Sequence, residues 1–199
     1  MAGCSRRSVL PPRRSRARLP GGPPAGPRRS DSTRTPFPPW TVSVHSIPGH
    51  TPGSVAYAID GQRSVFVGDA VQVHGAANGF PGYLDPTAYR TSLEYVRDEL
   101  RPQHLYLGHP YRRADGTPYG VELDAAQAQE AIAHSLAIEG RVTAAACGCL
   151  QAGLQETDSP YSPFARVAEE LGYTGDPALE PSPFFTSMHG YRTHPAQNA

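Results

Sequence analysis

Lysine does not occur in the 199 residues, so arginine carries every permanent side-chain positive charge. Cysteine occurs three times, as an isolated Cys4 and as Cys147-Gly148-Cys149. Three thiols cannot build a dense disulfide framework, and their spacing is not the paired one of a structural zinc site. A reducing compartment, the cytoplasm, is the expectation. No window approaches the roughly 18 consecutive apolar residues that a membrane-spanning helix needs. That excludes such a helix and predicts a soluble chain. The length suits one domain and not two full ones.

Formal net charge is zero, yet the two signs are not mixed: residues 1–39 hold nine Arg and a single acid, Asp31, whereas residues 40–199 hold nine Arg and 17 acids. The first segment is Arg, Pro, Gly and Ser with almost no apolar periodicity, so it cannot bury enough surface to offset its ordering entropy. It is expected to be disordered. Ser5-Arg6-Arg7-Ser8-Val9-Leu10 is similar to a twin-arginine export signal, but Pro11, Pro12, Arg13 and Arg14 stand where the apolar stretch should begin. A transit peptide matches the composition, and its amphipathic helix is blocked by the prolines. Contact with nucleic acid or an anionic surface would rest on charge alone, with no motif behind it.

From Trp40 the texture becomes short apolar runs broken by turn signals, predicting a mixed domain over 40–175 and a tail over 176–199. Thr41 to Val44, Ser54 to Ile59, Gln62 to Val67 and Gln103 to Leu107 read as strands, the middle two joined by Asp60-Gly61, which favours a type I′ hairpin turn. Asp85 caps a helix with Pro86 in its first turn and Tyr89, Leu93, Val96 and Leu100 along one face. Asp124 caps a second helix to about Glu139, with Ala128, Ile132 and Leu136 inward. Pro163 opens a third that ends near Gly172. Phe184 to Ala199 reads as non-periodic and frayed.

Three segments carry chemistry. In Ile47-Pro48-Gly49-His50-Thr51-Pro52-Gly53-Ser54, glycines and prolines fix the backbone while one imidazole projects. Val65-Phe66-Val67-Gly68-Asp69 is an apolar strand ending in Gly and a carboxylate, where an ionised group is costly unless paired or bound to metal. Leu105-Tyr106-Leu107-Gly108-His109 repeats that design with a histidine. A lone His or Asp after a strand is usually a hydrogen-bonded loop residue.

The trio in this order, 19 and 40 residues apart, resembles the second half of the metallo-β-lactamase-fold hydrolases, over roughly Thr41 to Arg141. Arg90-Thr91-Ser92-Leu93 matches the same pattern. The resemblance implies an α+β fold, an incomplete αββα sandwich consisting of its C-terminal half. It implies two zinc ions, with His50 on the first, His109 on the second and Asp69 bridging, as in glyoxalase-II-like members. It further implies hydrolysis of a small-molecule ester, thioester, lactone or amide by a metal-bound hydroxide.

The family's H-x-H-x-D-H loop should precede His50, but residues 1–44 contain no histidine, so four of the usual seven ligands are missing. His45, His74, His104, His134, His189 and His194 do not rebuild it. The expectations are therefore a truncated hydrolase, completed by a longer product, a second copy or a partner chain, or a non-catalytic remnant or binding module. Residues 1–39, rich in Arg, Pro and Gly, residue types with G+C-rich codons, are open to being a shifted-frame or mis-called start. Tyr111, Arg112 and Arg113 are weaker candidates for meeting an anionic substrate group. Gly79 to Tyr83 reads as a substrate-covering loop or a plain connector. Cys147 and Cys149 read as packing residues, with soft-metal binding as the alternative.

Overall fold

A computed structural model describes residues 35–37, 40–75, 79–178 and 182–193. The expectations for residues 1–34 and for His194 lie outside the described residues. Six strands form one sheet in chain order: β1 (Thr35–Phe37), β2 (Trp40–Ser46), β3 (Val55–Ile59), β4 (Ser64–Gly68), β5 (His104–Leu107) and β6 (Glu122–Asp124). Every neighbouring pair is antiparallel except β4 with β5. Parallel neighbours cannot be joined by a hairpin, and helix α1 (Pro86–Tyr95) makes the crossover.

Alternation puts Ser43, His45, Ala56, Val65, Val67, Leu105 and Leu123 on one sheet face, where all are buried. Helices α1, α2 (Ala125–Ala152), α3 (Ala165–Leu171) and α4 (Pro183–Thr193) share one apolar cluster with that face. The expected helix faces are present: Tyr89, Leu93 and Val96 are buried, as are Ala128, Ile132 and Leu136. Asp85 caps α1 by accepting from the Ala88 amide at 2.9 Å. Asp124 and Gln127 form a capping box on α2.

Several expectations need correction. Pairing begins at Thr35, ahead of Trp40, because three residues at the end of a Pro-rich segment find the free edge of β2. The β3–β4 connection spans four residues, since Ile59 pairs with Ser64, and left-handed φ falls on Gly61 and Arg63. A two-residue type I′ turn at Asp60-Gly61 is thus replaced by a longer loop. The α1 segment ends in a π-helical turn, Val96–Leu100, closed by Arg101 in the left-handed region. Helix α2 passes Glu139 and runs to Ala152, because Val142, Ala145, Ala146 and Cys149 extend its buried face past Gly140. An interior glycine costs about 1 kcal/mol, and continued burial outweighs it. No helix among the described residues is long and apolar enough to cross a membrane.

The largest correction concerns the C-terminal segment. Phe184, Met188 and Tyr191, spaced four and three apart, form the fully buried side of α4. Phe184 stacks on Tyr173 with ring centroids 5.0 Å apart and meets Phe80 edge-on. Small polar Ser187 on the same helix is also fully buried, which interrupts the apolar pattern in the sequence. Substituting Phe184→Ala should lower unfolding free energy by about 3–5 kcal/mol, read from the urea midpoint. A frayed tail would show less than about 0.5 kcal/mol.

Candidate metal centre

Residues 47–54 connect β2 to β3 and hold the first imidazole. The Ile47 amide donates to the Ser54 carbonyl at 2.9 Å, closing the loop. Gly49 has φ of 138°, and a Cβ there would collide with the Tyr89 backbone, so glycine lets the loop lie directly on α1. The Gly49 carbonyl accepts from the Leu84 and Asp85 amides, and the Ser92 hydroxyl donates to the Pro48 carbonyl at 2.6 Å. His50 is thereby fixed to the start of the crossover helix.

The other two residues come from the ends of the parallel pair. Because β4 and β5 run the same way, Asp69 and His109 leave the sheet at the same edge. The Gly108 amide donates to the Gly68 carbonyl at 2.9 Å, extending the ladder by one step. A Cβ on Gly108 would run into Asp69 Oδ1, so the glycine before His109 is what admits the carboxylate.

The three side chains come together with Asp69 in the middle. His50 Nε2 lies 3.7 Å from Oδ2, and His109 Nε2 lies 3.6 Å from Oδ1. Tyr111 donates its hydroxyl to Oδ1 at 2.7 Å. Burial first, and then this carboxylate, push the Tyr111 phenol far above its usual range, so it stays a donor.

His50 Nδ1 touches two groups, the Gly82 carbonyl at 2.7 Å and Gln72 Nε2 at 2.9 Å. Counting protons shows which tautomer suits these contacts. Gln72 Nε2 has two hydrogens, and the carbonyls of Asp69 and Gly82 stand 2.8 and 2.7 Å away to take them. Gln72 Oε1 accepts from the Gly82 amide at 2.9 Å, which fixes the amide's orientation. A proton on His50 Nδ1 suits this network, because it can be donated to the Gly82 carbonyl, and Nε2 is directed toward Asp69. An imidazole oriented through its other nitrogen is the usual support of a metal ligand.

The donor chemistry of two imidazole nitrogens and a carboxylate fits a divalent cation. Among the described residues, however, no three His, Cys, Asp or Glu side chains converge as ligands of one ion. The arrangement offers one imidazole on each side of a shared carboxylate, which is fewer groups than a catalytic zinc normally has.

Other expected residues lie elsewhere. Tyr111 is 2% exposed and engaged with Asp69, so it is not free to meet a substrate group. Arg113 stacks over the Tyr119 ring at 3.8 Å, and Arg112 points outward with Nη1 toward the Gly116 carbonyl. Buried His45 sits between the Ser43 and Tyr95 hydroxyls at 2.9 Å each. Cys147 and Cys149, two apart on α2, face different sides of the helix, the second of them buried. Gln72 is the functional group that motif reading missed, and Tyr111, expected to meet a substrate group, instead holds Asp69. The only trace of Gln72 is a single amide inside Ala70-Val71-Gln72-Val73.

Gly79 to Gly82 does more than connect. Its Gly82 end holds His50, and its Phe80 and Pro81 wall a cavity of about 510 Å³ also lined by His74, Arg141, Tyr173 and Asp176. Burial, then the charges of Arg141 and His134, hold the His74 imidazole below its usual pKa.

No protein-family model matches the chain. In sequence it is 34% identical over 84 residues to a hydroxyacylglutathione hydrolase of Hyphomonas neptunium, covering 42% of this chain and 32% of that protein. It is 27% identical over 143 residues to the hydroxyacylglutathione hydrolase of a Shewanella species, covering 70% of this chain and 52% of that protein. The chain thus spans between about a third and about a half of the length of these curated relatives. Among solved structures it superposes on the sec-alkylsulfatase Pisa1 of a Pseudomonas species with TM-score 0.54 at 10% identity, over 83% of this chain and 26% of that one. A metallo-β-lactamase family protein of Thermus thermophilus superposes with TM-score 0.46 at 17% identity, over 71% of this chain and 45% of that one. The chain is a mixed α+β protein whose fold superposes on part of that sec-alkylsulfatase and whose sequence is similar to parts of hydroxyacylglutathione hydrolases.

Proposed function

We propose that this chain is the part of a zinc-dependent hydrolase that supplies His50, Asp69 and His109 to a metal centre. The observation that supports it most is the Asp69 carboxylate standing between two imidazole nitrogens at 3.6 and 3.7 Å, one ring being oriented through its other nitrogen by the Gly82 carbonyl. Each carboxylate oxygen faces a different histidine, the disposition that a bridging ligand of two cations needs. Gln72 and the Gly82 carbonyl aim His50, and the Tyr111 hydroxyl fixes Asp69 Oδ1. Bound zinc supplies Lewis acidity at a scissile carbonyl and lowers the pKa of a water to about 7. The substrate class is a small ester, thioester, lactone or amide. The cavity beside Phe80 and Pro81, with Arg141 on its wall, is the place offered for an anionic part of the substrate. The remaining metal ligands come from a longer product, a second copy or a partner chain. Cys147 and Cys149 are thiols outside any disulfide, which suits a cytoplasmic setting.

A non-catalytic remnant is the competing reading, favoured by the absence of three converging ligand groups among the described residues. Zinc per chain separates the two, measured by elemental analysis after dialysis against a weak chelator. The hydrolase reading expects one to two zinc per chain, by the family's two-ion centre, and loss of most of it in Asp69→Ala. Zinc near zero in the wild-type chain would leave the remnant reading standing. His50 itself gives a second test: long-range proton–nitrogen spectra should show the Nδ1–H tautomer at neutral pH. Gln72→Leu should mix the tautomers and cost roughly 1–3 kcal/mol, since it orphans buried backbone groups. An unchanged tautomer in the variant would remove Gln72 from the account.

A further inference from the structure

The cavity beside Phe80 and Pro81 gathers polar groups that nothing in the described residues uses. Helix α2 presents Ile138, Arg141 and Val142 to it at spacings of three and four, one face of the helix. His74 comes from the segment that follows β4, and Tyr173 and Asp176 from the segment that follows α3. A smaller cavity of about 180 Å³ shares His74, Ile138 and Arg141 with it and adds His134. Among the described residues, neither the Arg141 guanidinium nor the His74 ring makes a hydrogen bond or an ion pair. The buried Tyr173 hydroxyl has no partner either. Because burial and the Arg141 and His134 charges hold the His74 pKa down, its ring is neutral at neutral pH and offers one N–H. The cavity's 510 Å³ lies within the range of about 300–1,000 Å³ that holds small molecules. Its remaining wall is apolar, with Phe80, Ile138 and Val142 all buried.

We propose that this cavity binds a carboxylate joined to an apolar or aromatic body, with Arg141 and His74 taking the carboxylate and Phe80, Ile138 and Val142 the body. The proposal rests on the hydrolase reading for calling the occupant a substrate, and it names the chemistry of that substrate's non-reacting part. One permanent cation beside a neutral imidazole matches one negative charge. A phosphate dianion would find no second permanent cation in the lining and would share the cavity with Asp176. His134 does not supply that second charge freely, since its Nδ1 faces the Tyr119 hydroxyl at 3.2 Å and Glu130 at 4.0 Å. Asp176 itself is engaged through Oδ1, which accepts from the Ala178 amide at 2.8 Å. The guanidinium fork matches a flat carboxylate through two parallel hydrogen bonds, which a lysine could not do. Apolar walls opposite that fork favour a ring or branched chain over a second polar group.

Phenylacetate is the probe, titrated into the full chain with and without zinc and followed by calorimetry and by the proton resonances of the His74 ring. A dissociation constant of about 1 mM or tighter is expected, the scale set by roughly ten heavy atoms. Phenylacetamide, the same shape without the charge, and inorganic phosphate should each bind at least about tenfold more weakly. Arg141→Met should weaken phenylacetate at least about tenfold. Methionine keeps the helix propensity of this exposed position, so folding is not at stake. His74→Leu, the second variant, should weaken it roughly threefold. Phenylacetate bound by a zinc-free chain upholds the carboxylate site and counts against the hydrolase reading alone. A zinc-loaded chain that ignores phenylacetate overturns the proposal and leaves that reading intact. Phenylacetamide binding as tightly as phenylacetate, phosphate binding more tightly, or full affinity in both variants also overturns it.

Discussion

A parallel pair of strands inside an otherwise antiparallel sheet needs a long return, and the site depends on that one requirement. The chain leaves β4 at Gly68, crosses through α1 and re-enters beside β4 as β5. Asp69 and His109 then emerge at one edge although 40 residues separate them. The return also gives the His50 loop something to lie on, because α1 begins with the amides that bind Gly49. Three distant segments meet because one helix links the parallel strands and props the loop.

The same crossover is anchored by a chain of polar groups that runs from exposed Arg90 to buried Glu139 and beyond. Arg90 on α1 donates to Glu139 on α2 at 2.6 Å, and Thr143 donates to the other carboxylate oxygen at 2.6 Å. Behind Thr143 stand the hydroxyls of Tyr191 and Tyr83, 2.9 and 3.0 Å along the line. Burial pushes both phenols up, so they remain protonated and the hydroxyls can all point toward Glu139. A buried carboxylate is costly unless paired and hydrogen-bonded. Here it has an arginine and an ordered hydroxyl relay that ties α1, α2, α4 and the 79–85 segment together.

Much of this was legible in the sequence where a local rule applies. Asp85, Pro86 and the Tyr89, Leu93, Val96 stripe announced α1, and the glycine-then-ligand endings of β4 and β5 announced Asp69 and His109. What stayed hidden depends on contacts between distant segments. Gln72 has its meaning only beside Gly82 and His50, and Tyr111 was read with Arg112 and Arg113 as a substrate contact because nothing local says that its hydroxyl reaches back to Asp69. Helix α4 was missed because its buried side mixes Phe184, Met188 and Tyr191 with Ser187 and Gly190. Small residues there admit the 80–86 segment instead of signalling a turn, and Gly190 lies against the Leu84 backbone. The π-helical end of α1 obeys no pattern that residue types announce.

Helix α4 also settles when the site can exist. Ser187 donates to the Pro81 carbonyl at 2.8 Å and accepts from the Tyr83 amide at 3.1 Å, so it grips both sides of Gly82. The Gly82 carbonyl aims His50. These contacts span more than 100 positions of chain. During synthesis, all three of the centre's side chains are therefore made well before the helix that orients the first of them. A nascent chain that has not yet released α4 from the ribosome carries His50, Asp69 and His109 without the contacts that hold the Gly82 carbonyl against the first of them.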